Sequence, residues 1–141
     1  MAIAGLCGTL LGTLAAGFYY YQYEDLRSRI AHVTRHLDIG IDYENFTRVW
    51  HNRTEAFSGE TLLNVTMRIA NVNLTTTAYG TEINTINGVT KQGSHGWFYW
   101  IWNSTSNTWG YVWTGADKYI IIDNEIFMWH YVDWNDFKAP P

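Results

Sequence analysis

The sequence has few of the groups from which disulfides, metal sites or nucleic-acid surfaces are built. Its single cysteine, Cys7, excludes an internal disulfide and a cysteine-built metal site. The net charge is -4 and the pI is near 5.6, so no basic field attracts phosphate backbones and nucleic acid is not an expected partner. The 141 residues are 47% apolar and 17% aromatic, which predicts one core that packing alone must stabilise.

Charge is absent from the start of the chain. From Met1 to Tyr23 there is no Asp, Glu, Lys or Arg. As a helix this segment would span about 34 Å, enough to cross the hydrocarbon core of a bilayer. A cleavable signal peptide fits less well, because no basic residue precedes the apolar run. The sequence therefore predicts a hydrophobic N-terminal helix that is inserted in the membrane, at least before any assembly.

Two spacing patterns in this region predict contact with another helix. Small residues recur every four positions, forming a ridge along which a second backbone can approach closely. Apolar residues then follow at spacings of four and three, as in a coiled-coil seam. The predicted helix-assembly interface is Ala4, Gly8, Gly12, Ala16, Leu26, Ile30, Val33 and Leu37. Two alternatives stay open, since small residues are common in membrane helices and the short seam could instead pack on the following domain.

After Gly40 the sequence becomes rich in β-branched and aromatic residues, together with Asn and Thr. This composition predicts an antiparallel sheet. A helix is predicted over Thr61 to Ala70, with its apolar face across the sheet. The predicted strands are Ile39 to Tyr43, Thr47 to His51, Ala78 to Ile86, Gly96 to Asn103, Thr108 to Trp113, Tyr119 to Ile122 and Ile126 to Val132.

The expected fold class is therefore α+β, a long N-terminal hydrophobic helix followed by a small antiparallel β-sheet domain with one packed helix. The expected domains are a hydrophobic helix with an amphipathic stalk over residues 1–38 and a β-rich head over residues 39–141.

An aromatic run marks the strand predicted at Gly96 to Asn103. Alternation puts Trp97 and Tyr99 on one face and Trp100 on the other, and both faces are apolar. The predicted helix covers one face. The other face is also apolar and needs a cover, which we expect to be a neighbouring copy, an attached glycan or a stacked sugar ligand. A loop folding back from the Pro140-Pro141 tail or from residues 87–94 is the alternative. The predicted aromatic contact face is Trp97, Tyr99, Trp100, Trp102, Trp109, Tyr111 and Trp113.

Five N-glycosylation sequons follow the apolar segment, and none precedes it. The chain is rich in Asn and Thr, so composition alone produces some of them. Asn103 is the best placed, in the tip of a predicted hairpin, whereas Asn64 falls within the predicted helix. The candidate glycosylation sites are Asn45, Asn52, Asn64, Asn73 and Asn103. Together they favour an extracellular, cell-surface location, with N-linked glycans attached.

Several segments, in order and spacing, resemble the transcobalamin-like C-terminal domain family. They are Tyr79-Gly80, Ile86-Asn87-Gly88, Gly96-Trp97 with Tyr99, Gly115-Ala116-Asp117 with Tyr119, and Trp129 with Tyr131. The resemblance runs from about Asp42 to Trp134 and implies a small sheet with one packed helix. It departs at Asp123-Asn124-Glu125, where the family has Asp-Gly-Asp.

Transcobalamin holds its corrinoid between this domain and a helical barrel. We expect no such barrel here, so corrinoid binding is not carried over. The combination of an anchor, a stalk and this domain is similar to archaeal surface proteins, and the layout is similar to that of type IV pilins.

Catalytic, cofactor-binding and metal-binding groups are not expected. Asp123 and Glu125 fit a turn before a strand better than a catalytic carboxylate pair. His32 and His36 are four residues apart but lack a third ligand nearby. His130, between Trp129 and Tyr131, is expected to be a packed or hydrogen-bonded histidine. The chain is therefore not predicted to be an enzyme or to bind a cofactor.

Two functions fit these patterns, of which the first is favoured and the second is the alternative. The first is a pilin-like structural subunit of an extracellular filament, assembled with copies of itself through the N-terminal helix, with glycosylated aromatic heads outside. The second is a single-span, membrane-anchored surface module that binds a glycan or a peptide.

The filament hypothesis predicts that Gly12→Leu abolishes filaments, because a bulky side chain on the small-residue ridge keeps helices apart. Electron microscopy of sheared cell-surface material from wild-type and variant cells measures this. Recovery of the wild-type chain only as small detergent-solubilised oligomers would contradict the hypothesis.

Overall fold

The computed structural model describes residues 17–26, 34–45, 47–78 and 80–141. The chain divides into two compact units, Met1–Thr34 and Arg35–Pro141. In the first unit, residues 17–26 form a helix, α1, whose aromatic side chains are exposed: Phe18, Tyr19, Tyr20, Tyr21 and Tyr23. None of the helices in the described ranges combines the length and the apolar character needed to cross a bilayer.

Two sheets and one α-helix follow α1. The elements are β1 (Thr34–Asp42), β2 (Arg48–Phe57), α2 (Leu62–Ile69), β3 (Val72–Thr77), β4 (Gly80–Ile86), β5 (Val89–Thr90), β6 (His95–Asn103), β7 (Thr108–Tyr111), β8 (Glu125–Asp133) and a 3-10 helix (Trp134–Asp136). The larger sheet has the order β2-β1-β8-β6-β7, and the smaller has the order β3-β4-β5. β8 pairs parallel with β1 and antiparallel with β6.

The predicted α+β fold class is wrong. Of the described residues, 51% are in strands and 18% are helical, so this is a β-rich domain. The described part of the chain contains two short helices and no long apolar N-terminal helix. The larger sheet is also not purely antiparallel, because β1 and β8 run in the same direction. Local alternation of side chains predicts strands but carries no information on which strands become neighbours.

Leu37 lies in strand β1 and not in the predicted helical seam. Leu37, Ile39 and Ile41 alternate along β1 and are 1%, 0% and 0% exposed. In a strand, every second side chain points to the same face, so these three enter one core together. The spacing of two between Leu37 and Ile39 therefore dominates over the spacing of four between Val33 and Leu37.

The helix predicted from Thr61 is confirmed as α2. Thr61 is its N-cap and accepts a hydrogen bond from the amide of Asn64 at 3.3 Å. Leu62, Leu63 and Val65 are buried in the main core. The core also receives Phe127 and Trp129 of β8, and the indole of Trp129 donates to the Thr66 hydroxyl at 2.9 Å. The sheet face that carries Trp97 and Tyr99 is therefore covered by α2.

The other face of β6 is covered by the C-terminal tail, residues 137–141. The ring of Phe137 stacks on Trp100 at 5.2 Å between centroids and meets Phe98 at 5.0 Å and Tyr111 at 4.9 Å. Pro140 is buried, and Arg48 donates to the carbonyl of Pro141 at 3.2 Å. The second apolar face of β6 is thus covered by the tail of the same chain. A tail that folds back was the alternative to a neighbouring copy in the sequence analysis.

Most predicted strands are present with shifted ends, but two regions differ. The strand predicted at Tyr119 to Ile122 is reduced to an isolated bridge between Thr61 and Ile120. β3 and the two-residue β5 were not predicted, because in β3 the apolar alternation is limited to Val72 and Leu74 and β5 is too short to show a period.

Phe137→Ala is expected to lower the free energy of unfolding by about 1–2 kcal/mol, since a ring that is 41% exposed but contacts three aromatic side chains is lost. Urea unfolding followed by circular dichroism measures the change. The matched control is Lys138→Ala, which removes an exposed neighbour in the same tail. Equal stability of the two variants would show that the tail does not seal this face.

Candidate functional site

The structure separates the predicted aromatic contact face into three groups. Trp97, Tyr99 and Trp100 are buried within the domain. Trp102, Trp109 and Tyr111 are partly buried, and the first two form an edge-to-face pair at 5.2 Å. Trp113 is 90% exposed. This is the highest exposure among the large apolar side chains that the structure describes, so Trp113 is the member of the predicted face that a ligand could contact most freely.

Trp113 stands at a cleft of about 260 Å³, which we call the edge cleft. Three segments bound it: residues 96–99 of β6, residues 81–83 of β4 and the loop formed by residues 112–116. Leu63, Lys91, Tyr111 and Trp129 complete the lining. The cleft therefore lies where the edges of the two sheets approach each other.

The loop that carries Trp113 is tied to the start of α2. The carbonyls of Ala116 and Tyr119 accept hydrogen bonds from the amides of Leu63 and Leu62, at 3.0 and 2.9 Å. The first amides of a helix have no partner within the helix, so this loop satisfies them. Tyr111 meets the indole of Trp113 edge-on at 4.8 Å. Trp113 is thus held in position although it is exposed.

The polar groups of the edge cleft are largely paired with each other. The Tyr99 hydroxyl donates to the carbonyl of Thr114. Burial raises the pKa of Tyr99, and the nearby Tyr111, Asp117 and Glu125 add to the shift, so the phenol stays protonated. At the rim, Lys91 Nζ lies 3.5 Å from Glu82 Oε2. The cleft therefore has a mixed polar and aromatic lining, with a rim that is close to neutral.

A second cavity, of about 600 Å³, lies beneath the tail and contains a buried polar cluster. Arg48 Nε donates to Asp42 Oδ2 at 3.1 Å, and Asp42 Oδ1 lies 3.8 Å from His130 Nδ1. His130 is only 6% exposed, and its Nδ1 makes no hydrogen bond. The packed histidine predicted from the sequence is confirmed. Asp42 and Arg48 were missed, and the only sequence signal was a charge of each sign at facing strand ends.

The carboxylates considered in the sequence have structural partners. Asp123 Oδ1 accepts from the amide of His36 at 2.8 Å. Glu125 accepts from the Tyr119 hydroxyl at 2.6 Å and from the amide of Ile122 at 2.7 Å. Within the described ranges, no three His, Cys, Asp or Glu side chains are grouped so that they could hold a metal ion.

All five predicted glycosylation sites lie on the surface of the domain, whereas most of the predicted helix interface lies outside the described residues. Each of the five sequon asparagines has an exposed side chain: Asn45, Asn52, Asn64, Asn73 and Asn103. Asn103 ends β6, and its side chain caps the turn to β7 by accepting from the amide of Thr105 at 3.0 Å. Leu26 is exposed at the end of α1. Ala4, Gly8, Gly12, Ala16, Ile30 and Val33 lie outside the described residues.

Comparison with solved structures identifies the fold. The crystal structure of haptocorrin in complex with Cbi matches with a TM-score of 0.61 and 12% identity, over 72% of this chain and 25% of that one. The fold is transcobalamin-like. A structure from Ruminococcus gnavus ATCC 29149, described as a "putative metal binding protein", matches with a TM-score of 0.56 and 18% identity, over 70% of this chain and 97% of that one.

At these identities the similarity establishes the fold alone, and the chain spans a quarter of haptocorrin. No family model and no curated protein matches the sequence.

Stability should fall as the pH is lowered, in part through His130. Burial lowers the pKa of His130 below its usual 6.5, an effect larger than the opposing influence of Asp42 and Glu44. The unfolded chain takes up a proton near pH 6.5, whereas the folded domain resists it, so stability present above that pH is lost below it. His130→Gln should therefore flatten the decline of the unfolding midpoint between about pH 7 and pH 5.5.

Urea midpoints at several pH values measure this slope. The matched control, His51→Gln on β2, lies outside the polar cluster and should keep the wild-type slope. An unchanged slope in His130→Gln would contradict the assignment.

Proposed function

We propose that this protein is a non-enzymatic binding module displayed at the cell surface, and that it takes its ligand in the edge cleft. The observation that carries the proposal is Trp113, a 90% exposed indole that packs edge-on against Tyr111 and lines the edge cleft. Exposed aromatic anchors beside a preformed pocket are typical of recognition sites. A glycan and a peptide are the two ligand classes that such a surface fits.

The fold supports a binding role by analogy. The haptocorrin structure that shares it is a complex with Cbi, which is a property of that protein. We propose further that the chain belongs to the transcobalamin-like C-terminal domain family, on the order of its Gly-Trp, Gly-Ala-Asp and Trp-His-Tyr segments together with the shared fold. Five exposed sequon asparagines support an extracellular location with N-linked glycans.

Assembly into a filament stays a prediction. Its proposed interface lies largely outside the described residues, so it draws no support from the contacts described above. One argument for a filament was that the second aromatic face of β6 needs a neighbouring copy to cover it. That argument no longer holds, because Phe137 and Pro140 of the same chain cover this face. The binding module is therefore the function that the geometry favours.

Trp113→Ala is expected to lower the affinity for the ligand at least tenfold and to leave the unfolding midpoint unchanged, because the ring is exposed. The full chain in detergent is applied to a glycan array and to an array of random dodecapeptides, and the strongest hits are titrated. The matched control is Trp50→Ala, a partly exposed indole on β2 outside the cleft. If no hit in either array depends on Trp113, the proposed function is wrong.

A further inference from the structure

Strand β6 has an open edge at the edge cleft. β7 pairs with β6 only from Trp100 to Asn103. On the same side of β6, the backbone of His95 is already bonded to Gln92 across a tight turn. The His95 amide donates to the Gln92 carbonyl at 3.0 Å, and the Gln92 amide donates to the His95 carbonyl at 3.1 Å. No strand of the described chain pairs with this side of β6 from Gly96 to Tyr99, and these four residues line the cleft.

The backbone direction along β6 identifies which groups face the cleft. His95 uses its amide and carbonyl toward Gln92, on the outer side, whereas the carbonyl of Ser94 accepts from Trp134, next to β8. Hydrogen-bonding direction alternates along an antiparallel strand. The amides and carbonyls of Trp97 and Tyr99 therefore point into the cleft, and those of Gly96 and Phe98 point toward β8.

The opposite wall of the cleft is also a strand edge. β3 occupies one side of β4, and β5 pairs with the other side only at Thr85 and Ile86. Residues 81–83 of β4 therefore lack a strand partner on the cleft side within the described chain. A cleft between two strand edges offers main-chain donors and acceptors to a ligand. A sugar-binding site, in contrast, would offer polar side chains.

We propose that the edge cleft binds an extended peptide segment, which adds as a strand to the edge of β6 at Gly96–Tyr99. This inference rests on the proposed function and names its ligand class. The edge accommodates about four residues, roughly 13 Å of extended chain. Backbone hydrogen bonds to Trp97 and Tyr99 hold the peptide, as in other cases of strand addition.

The lining defines the chemistry of the peptide. Lys91 and Glu82 offset each other at 3.5 Å, so the rim selects a segment without a strong net charge. Trp113 and the partly buried Val112 favour a β-branched or aromatic side chain beside them. A glycan fits less well, because the Tyr99 hydroxyl is engaged by the Thr114 carbonyl and the charged groups of Lys91 and Glu82 are engaged with each other.

The test is amide hydrogen exchange, measured by NMR on the full chain in detergent, with and without the strongest Trp113-dependent dodecapeptide from the array. Strand addition should slow exchange at the Trp97 and Tyr99 amides at least tenfold. The amides of Gly96 and Phe98, which face β8, are the internal control and should not change. N-methylation of the peptide at alternate residues should weaken binding at least tenfold in at least one of the two alternating sets.

The possible failures separate the two proposals. Unchanged exchange at Trp97 and Tyr99 in the bound state overturns strand addition, as does full affinity in both N-methylated sets. If only glycans bind in a Trp113-dependent manner, strand addition is wrong and the binding module stands. If neither array yields such a ligand, both fall.

Discussion

The structure depends on burying both faces of the strand pair β6 and β8. Phe127 and Trp129 of β8 enter the main core, while Met128 and His130, which alternate with them, are buried on the opposite side. A strand with apolar side chains on both faces is stable only when a layer covers each face. Here α2 forms one layer, and the tail with Phe137 forms part of the other.

This constraint also explains where the candidate site lies. The smaller sheet and the loop of residues 112–116 pack around the α2 side of β6, and they leave a gap where β7 has ended and β5 is too short to reach. Because the loop is bound to the first amides of α2, the gap keeps its shape. The cleft is thus a product of strand lengths.

Much of the fold was accessible from the sequence because it is encoded locally. Alternation predicted β6 and β8, and the Thr61 cap with helical spacing predicted α2. The parallel pairing of β1 with β8 was not predictable, since it joins distant segments whose patterns fit either orientation. Leu37 was misassigned because it satisfies both a helical and a strand period. The packing of Phe137 on β6 was not predicted, because a single aromatic residue in a short tail shows no periodicity.

The pairing of β1 with β8 has a consequence for synthesis. Nearly the whole domain separates these partners in the chain, so the larger sheet cannot close until Glu125–Asp133 has left the ribosome. Asn45, Asn52, Asn64, Asn73 and Asn103 all emerge earlier than β8. On the export route proposed above, all five sequons would therefore be presented to an oligosaccharyltransferase before the larger sheet closes, including that of Asn64, whose Thr66 is buried in the folded domain and accepts a hydrogen bond from Trp129.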